Sequence, residues 1–225
     1  MTQAFGLYQS SIGKKVVMAG SGVLLLGFVV MHMIGNLKIF LGQADYDAYA
    51  AFLREFGAPA LGHGELLWLA RLGLLAAVCV HIVAAVQLTL MSRAARTERY
   101  QKPHDVSLTY ASRTMRWGGV IVAAFVLYHL LHLTFGTVHV DFEEGAVYAN
   151  VVSAFSQWPV ALAYITCMLP LGLHIYHGAW SITQTLGFDG PRVAALRRIV
   201  AAALALGVTL GNISIPLAIL AGLVR

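Results

Sequence analysis

Charge is what this sequence has least of. Only 11% of its 225 residues are Asp, Glu, Lys or Arg, against roughly 25% in an ordinary soluble domain. So few charges cannot cover a water-facing surface. A soluble enzyme, a disordered tail and a nucleic-acid binder are excluded, although a pI of 9.4 on its own would suit the last. Cysteine is also scarce. Cys79 and Cys167, both inside apolar runs, read as buried small side chains rather than a disulfide framework. There is no Cys-rich cluster motif and no glycine-rich dinucleotide loop. Internal repeats and low-complexity tracts are absent.

What is present is apolar: 59% of the chain, with a mean hydropathy of +0.74. Five runs, at about 16–41, 66–91, 117–138, 158–186 and 199–224, each reach the roughly 20 residues that a helix needs to cross a bilayer. Lipid accepts only helices and closed barrels, and runs of this length are helical. The expected fold is a single all-α membrane domain over 1–225, with the first four of five transmembrane helices in an up-and-down bundle. The first run is too long for a signal-peptide core and lacks a cleavage site, so it is expected to stay.

The few charges orient the chain. With the N-terminus inside, the inner segments carry Lys14, Lys15, Arg93, Arg96, Arg99, Lys102, Arg113, Arg116, Arg192, Arg197 and Arg198, eleven of the fifteen basic residues. The outer segments hold Lys38, Arg54, Arg71 and Arg225, with seven of the ten acids. This is a positive-inside pattern with the C-terminus outside. The net charge of +5 is thus a topology signal rather than a nucleic-acid footprint. Residues 45–56 mix apolar and polar side chains as a short surface helix does, and are expected over the outer mouth. The basic loop 92–112, broken at Pro103, suits either a cytoplasmic partner or lipid headgroups. Tyr8, Tyr100 and Tyr110 read as interface residues.

Histidine is in surplus, with nine against ten acids. His63, His104 and His139 fall in loops or at edges. The others lie inside helices: His32 in the first, His81 in the second, His129 and His132 in the third, His174 and His177 in the fourth. A lone intramembrane histidine can hydrogen-bond, relay protons or bind metal. Four successive helices with imidazole at middle depth, and no intramembrane carboxylate, suit bis-histidine ligation of haem iron. Counted from the inner charges, His81 lies about 18 Å deep, His129 about 20 Å and His32 about 25 Å, with His174 close to His81 in depth. Diagonal helices one and three then share an outer haem through His32 and His129. Helices two and four share an inner haem through His81 and His174. His132 and His177 sit one turn from their neighbours, and either member of each pair can line the cavity.

Glycines cluster near these residues: Gly20, Gly22, Gly27 and Gly35, then Gly118 and Gly119, then Gly172 and Gly178. They suit either a bundle that admits porphyrin or ordinary close packing. Pro170, four residues before His174, is expected to kink its helix.

The chain resembles the cytochrome b membrane-anchor subunit of succinate:quinone oxidoreductases, of the single-subunit, five-helix, two-haem type. The segments that carry the resemblance are AGSGVLLLGFVVMHM at 19–33, RWGGVIVAAFVLYH at 116–129 and HIYHGAWS at 174–181. In that family a small-residue Ser-Gly precedes the first ligand, as Gly22 precedes His32 by ten. An arginine precedes the third by thirteen, as Arg116 precedes His129. The fourth precedes a tryptophan by six, as His174 precedes Trp180. The resemblance implies haem ligation by His32, His81, His129 and His174. His132 and His177 depart from the minimal pattern. It further implies two haems b and a quinone, in an anchor similar to those that work with menaquinone. It places a flavoprotein with the dicarboxylate site and an iron–sulfur protein as partners at the cytoplasmic face of a bacterial-type inner membrane.

Glu65, with His63 and Arg71, is a candidate proton donor to an outer quinone pocket, or a helix-start acid favoured by the dipole. Ser21, Arg116 and Trp117 are inner candidates, Arg116 as a partner for haem propionates. Two other functions are consistent with the same chain. One is the dihaem subunit of another quinone-linked complex such as nitrate reductase, where paired histidines concentrate on two helices. The other is a haem-free transporter or structural anchor.

Overall fold

A computed structural model describes residues 6, 8–58, 60–95, 106–185, 187 and 190–225, with backbone alone for 106–113 and 191. Arg96, Arg99, Tyr100, Lys102, Pro103 and His104 lie outside the described residues, as do the side chains of Tyr110 and Arg113. The described residues are helical, with no strand among them, and five helices are long and apolar enough to span a membrane.

Helix α1 (Ser11–Asn36) starts where Ser10 accepts the Gly13 amide at 3.0 Å, a side-chain cap on an orphan N–H. It tightens into a 3-10 segment (Leu37–Leu41) and stops at Gly42, whose φ of 99° suits glycine. A short amphipathic α2 (Gln43–Glu55) follows. Helix α3 (Glu65–Ala94) returns, α4 (Val106–His129) crosses again, and a π segment (Leu130–Thr134) ends it before Gly136 at φ 69°. Then come α5 (Val147–Ser156), α6 (Trp158–Thr185) and α7 (Pro191–Leu220). Four of the spanning helices begin earlier than their apolar runs, while α6 begins with its run at Trp158. Ser10 caps α1 six residues ahead of its run, and Pro191 opens α7 from its first turn, where proline costs nothing. Pro170 stands inside an unbroken α6.

Helix α3 packs on α1, α1 also on α6 and α7, and α4 on α6. Helices α6 and α7 have the most extensive contact. Paired positions run oppositely along each contact: Tyr8 meets Gln87 where Ser21 meets His81, and Gly118 meets Pro170 where Phe125 meets Tyr164. Helices α1 and α3 are therefore antiparallel, as are α4 and α6. We call the end that carries Tyr8 and Gln87 the amino face.

The densest core lies at the opposite face. There α2, α5 and the end of α7 close over Ile39, Tyr46, Tyr148, Phe155, Tyr164 and Ile219. The Tyr46 hydroxyl donates to Asn36 Oδ1 at 3.2 Å, and Asp47 accepts the Tyr148 amide at 2.9 Å. Tyr148 in turn donates to the Arg225 carbonyl at 2.9 Å. Helix α5 was not anticipated from sequence, where residues 139–157 read as loop. Its buried Tyr148, Val151, Ala154 and Phe155 have helical three-to-four spacing. The pattern was legible but too short to register as a span. Cys167 is half-buried, but Cys79 is exposed because α3 packs along one side only.

Candidate functional site

Two histidine pairs meet between helices that do not otherwise pack together. His32 of α1 and His129 of α4 have ring centroids 5.8 Å apart, with planes at 83°. His81 of α3 and His174 of α6 have centroids 6.3 Å apart, with planes at 68°. Neither α1 with α4 nor α3 with α6 is among the packed helix pairs. The four imidazoles therefore bridge diagonals across an interior. His32 retains exposed surface.

The separations fit a shared metal. Two opposed metal–nitrogen bonds of about 2 Å, plus roughly 1.2 Å from each nitrogen to its ring centre, put imidazole centroids about 6 Å apart. No cluster of three or more His, Cys, Asp or Glu able to hold a metal ion occurs among the described residues. The donor set is thus two imidazoles per centre, which suits an iron whose remaining positions are filled by a macrocycle. His129, His174 and His177 each bury an Nδ1 that lacks a hydrogen-bond partner. Such orphaned polar atoms are uncommon in a packed interior.

Glycines seat one of the pairs. A Cβ on Gly22 would lie 3.4 Å from His81 Cε1, and one on Gly119 would lie 3.5 Å from His174 Cε1. Gly22 precedes His32 by ten residues and Gly119 precedes His129 by ten. Helices α1 and α4 thus repeat one device: a glycine that accepts the other pair's imidazole, then a histidine about 15 Å further along. In the sequence the first half reads as Ser-Gly and the second as Gly-Gly. Gly35 admits the Tyr49 ring, Gly172 the Thr209 side chain and Gly211 the Met33 sulfur, so these serve helix and loop packing. Gly20, Gly27 and Gly178 face open space.

The members of each histidine doublet separate. His132 is 2% exposed, and its Nδ1 lies 3.0 Å from the Tyr164 hydroxyl. Its ring stacks on Tyr128 and, 4.7 Å away, on His139. His139 in turn reaches Ser153 Oγ at 2.9 Å. His132 and His139 therefore belong to a packed network near the opposite face, and the π segment turns His132 into it. His139 is buried rather than an idle edge residue. His177 is half-buried beside Tyr176 and meets no second histidine ring within stacking range.

The remaining candidates scatter. Ser21 Oγ lies 3.1 Å from His81 Nδ1. Glu65 is exposed at the start of α3, with its carboxylate folded back beside Gly62, and His63 pairs with Glu55 at 2.7 Å on the surface. The helix-start account of Glu65 needs nothing more. Arg71 lies 4.9 Å over the Trp68 ring. Arg116 and Trp117 are exposed. Trp180 lies under the guanidinium groups of Arg197 and Arg198 at the α6–α7 contact.

Between α1, α3 and α6 a cavity of about 690 Å³ opens at the amino face. Met18, Leu88 and Met91 make its apolar wall, while Ser11, Lys15 and Gln184 give it donors and a positive charge. Met18 is one turn from Ser21, so the cavity leads toward the His81–His174 pair. Among the described residues its lining holds no acid, which suits a ligand that presents carboxylate or carbonyl oxygens. Comparisons with protein-family models, curated proteins and solved structures return no match for this chain.

Proposed function

We propose that this chain is the dihaem cytochrome b subunit that anchors a succinate dehydrogenase or fumarate reductase to a membrane and exchanges electrons with a quinone. One observation carries it: two histidine pairs on diagonal helices, each at the spacing of two ligands on one iron. The dicarboxylate site belongs to a partner flavoprotein, and a partner iron–sulfur protein lies between it and this chain.

His32 and His129 would hold one haem, His81 and His174 the other. Haem held by two imidazoles carries one electron at a time between its ferric and ferrous states. The chain's own residues do the positioning. Gly22 and Gly119 leave room for the rings of His81 and His174. Lys15, at the amino-face cavity, is placed for acidic substituents of a group seated on those histidines. His132 is committed to Tyr164 and His139, which leaves His129 as the free imidazole of its doublet. The positive-inside pattern supports a cytoplasmic amino face, where the partners would dock. The quinone is of the menaquinone class.

A reduced-minus-oxidised spectrum of the gently purified complex tests the proposal. Two b-type haems per chain, succinate oxidation and a flavin covalently bound to a partner are expected. Each of His32→Ala, His81→Ala, His129→Ala and His174→Ala should remove one haem, whereas His132→Ala keeps both. A spectrum with no α-band overturns the haem assignment. Haems that nitrate oxidises in a complex without succinate activity overturn the choice of complex.

A further inference from the structure

We infer that Ser21 is a positioning residue that fixes the proton of His81 on Nδ1 and makes the His81–His174 centre electronically unlike the His32–His129 centre. The inference rests on the proposed function, because it concerns how those histidines would hold iron. It starts from the hydroxyl. Ser21 Oγ lies 2.8 Å from the Val17 carbonyl and 3.1 Å from the Met18 carbonyl of its own helix. A carbonyl only accepts, so the single hydroxyl proton is directed to that side. Toward His81 Nδ1, at 3.1 Å, Ser21 can then offer only a lone pair. His81 Nδ1 must then be the N–H that donates. The other nitrogen, Nε2, keeps its lone pair for a metal.

A ligating imidazole that donates its remaining N–H to an oxygen is a stronger base toward its metal, and its orientation is fixed. His129 and His174 differ, since each buries an Nδ1 that has no hydrogen-bond partner. The cause is visible in the repeated segments. Ser21-Gly22 on α1 corresponds to Gly118-Gly119 on α4, at the same distance before each histidine. Both glycines seat a ring, but only α1 has a hydroxyl beside its glycine. At Gly118 an added Cβ would meet only the Pro170 carbonyl, at 3.9 Å, so the place for a serine is open.

The test is a redox titration followed optically and by electron paramagnetic resonance, on the purified complex with Ser21→Ala, Ser21→Thr and Gly118→Ser. In Ser21→Ala the midpoint potential of one haem should rise, because its ferric state loses the stronger donor, and its resonance should shift. The second haem should keep both values, and Ser21→Thr should restore the first. Gly118→Ser should lower the potential of that same haem by giving His174 the missing acceptor. Loss of that one haem in Ser21→Ala, recovered in Ser21→Thr, supports the same role. Two haems with unchanged potentials and resonances in Ser21→Ala and Gly118→Ser overturn the inference but leave the proposed function standing. Absence of haem from the unmodified complex overturns the proposed function itself.

Discussion

Gly22 and Gly119 show how much a single missing side chain can decide. A methyl group at either position would come to 3.4–3.5 Å of an imidazole carbon, which is ordinary van der Waals contact. Gly22→Ala should therefore keep both proposed haems and cost little. Gly22→Leu cannot fit beside His81 and should release the haem proposed for His81 and His174 while the other is retained. Haem content by pyridine haemochrome, with the spectrum of the remaining haem, reads the outcome. Equal loss of both haems in Gly22→Leu would mean that the glycine serves helix packing in general. These residues were legible in sequence as a cluster of small residues, but not as seats. A glycine carries no mark of what approaches it, and only the position of α3 against α1 shows that the visitor is His81. His132 has the same history. One turn from His129, it is an equal candidate by spacing, and Tyr164 and His139 remove it from the choice only once α5, α6 and the π segment are placed.

At the scale of elements, the short helices α2 and α5 hold the opposite face together, and Tyr46 is their shared buried contact. Burial above all, then the nearby Asp47 and Tyr49, pushes the Tyr46 hydroxyl from its ordinary pKa of 10.0 up to about 12. The unfolded chain thus releases this proton more readily than the folded one. The stability tied to the neutral hydroxyl is complete below pH 10 and is lost as pH rises toward 12. At neutral pH, Tyr46→Phe should cost only the bond to Asn36, about 1 kcal/mol. Above pH 10 the variant should lose less stability than the parent, so their melting curves in detergent converge and then cross. Curves that stay parallel through that range would show that Tyr46 does not ionise on unfolding. The spans were plain in sequence because twenty apolar residues are a strong signal. These two short helices were not equally plain. Residues 45–56 carry a weak amphipathic pattern, and 147–156 carry a helical spacing that is too short to stand out as a span.

For the whole molecule, the distribution of burial assigns the histidine pairs a second task. Within the apolar windows of the first two spans only 6% of residues are buried, and 11% in the third, against 28% and 33% in the last two. Helices α6 and α7 are therefore the stable body, and the hairpin of α1 and α3 is held to it chiefly through α1. Helix α3 packs on α1 and, at its start, on α2, while α4 packs on α6. What joins α3 to α6 across the interior is His81 with His174, and what joins α4 to α1 is His129 with His32. A ligand shared by each pair would act as a cross-brace, because binding to the folded arrangement alone stabilises it. Hydrogen exchange on single variants should then be local rather than uniform. His81→Ala should loosen α3 and leave α4 protected, and His129→Ala should loosen α4 and leave α3 protected. The α6–α7 contact should stay slow in both, since its packing needs neither histidine. Uniform loss of protection in either variant would mean that the braces set the stability of the entire bundle. Unchanged exchange in both would mean that the helices hold their places without them.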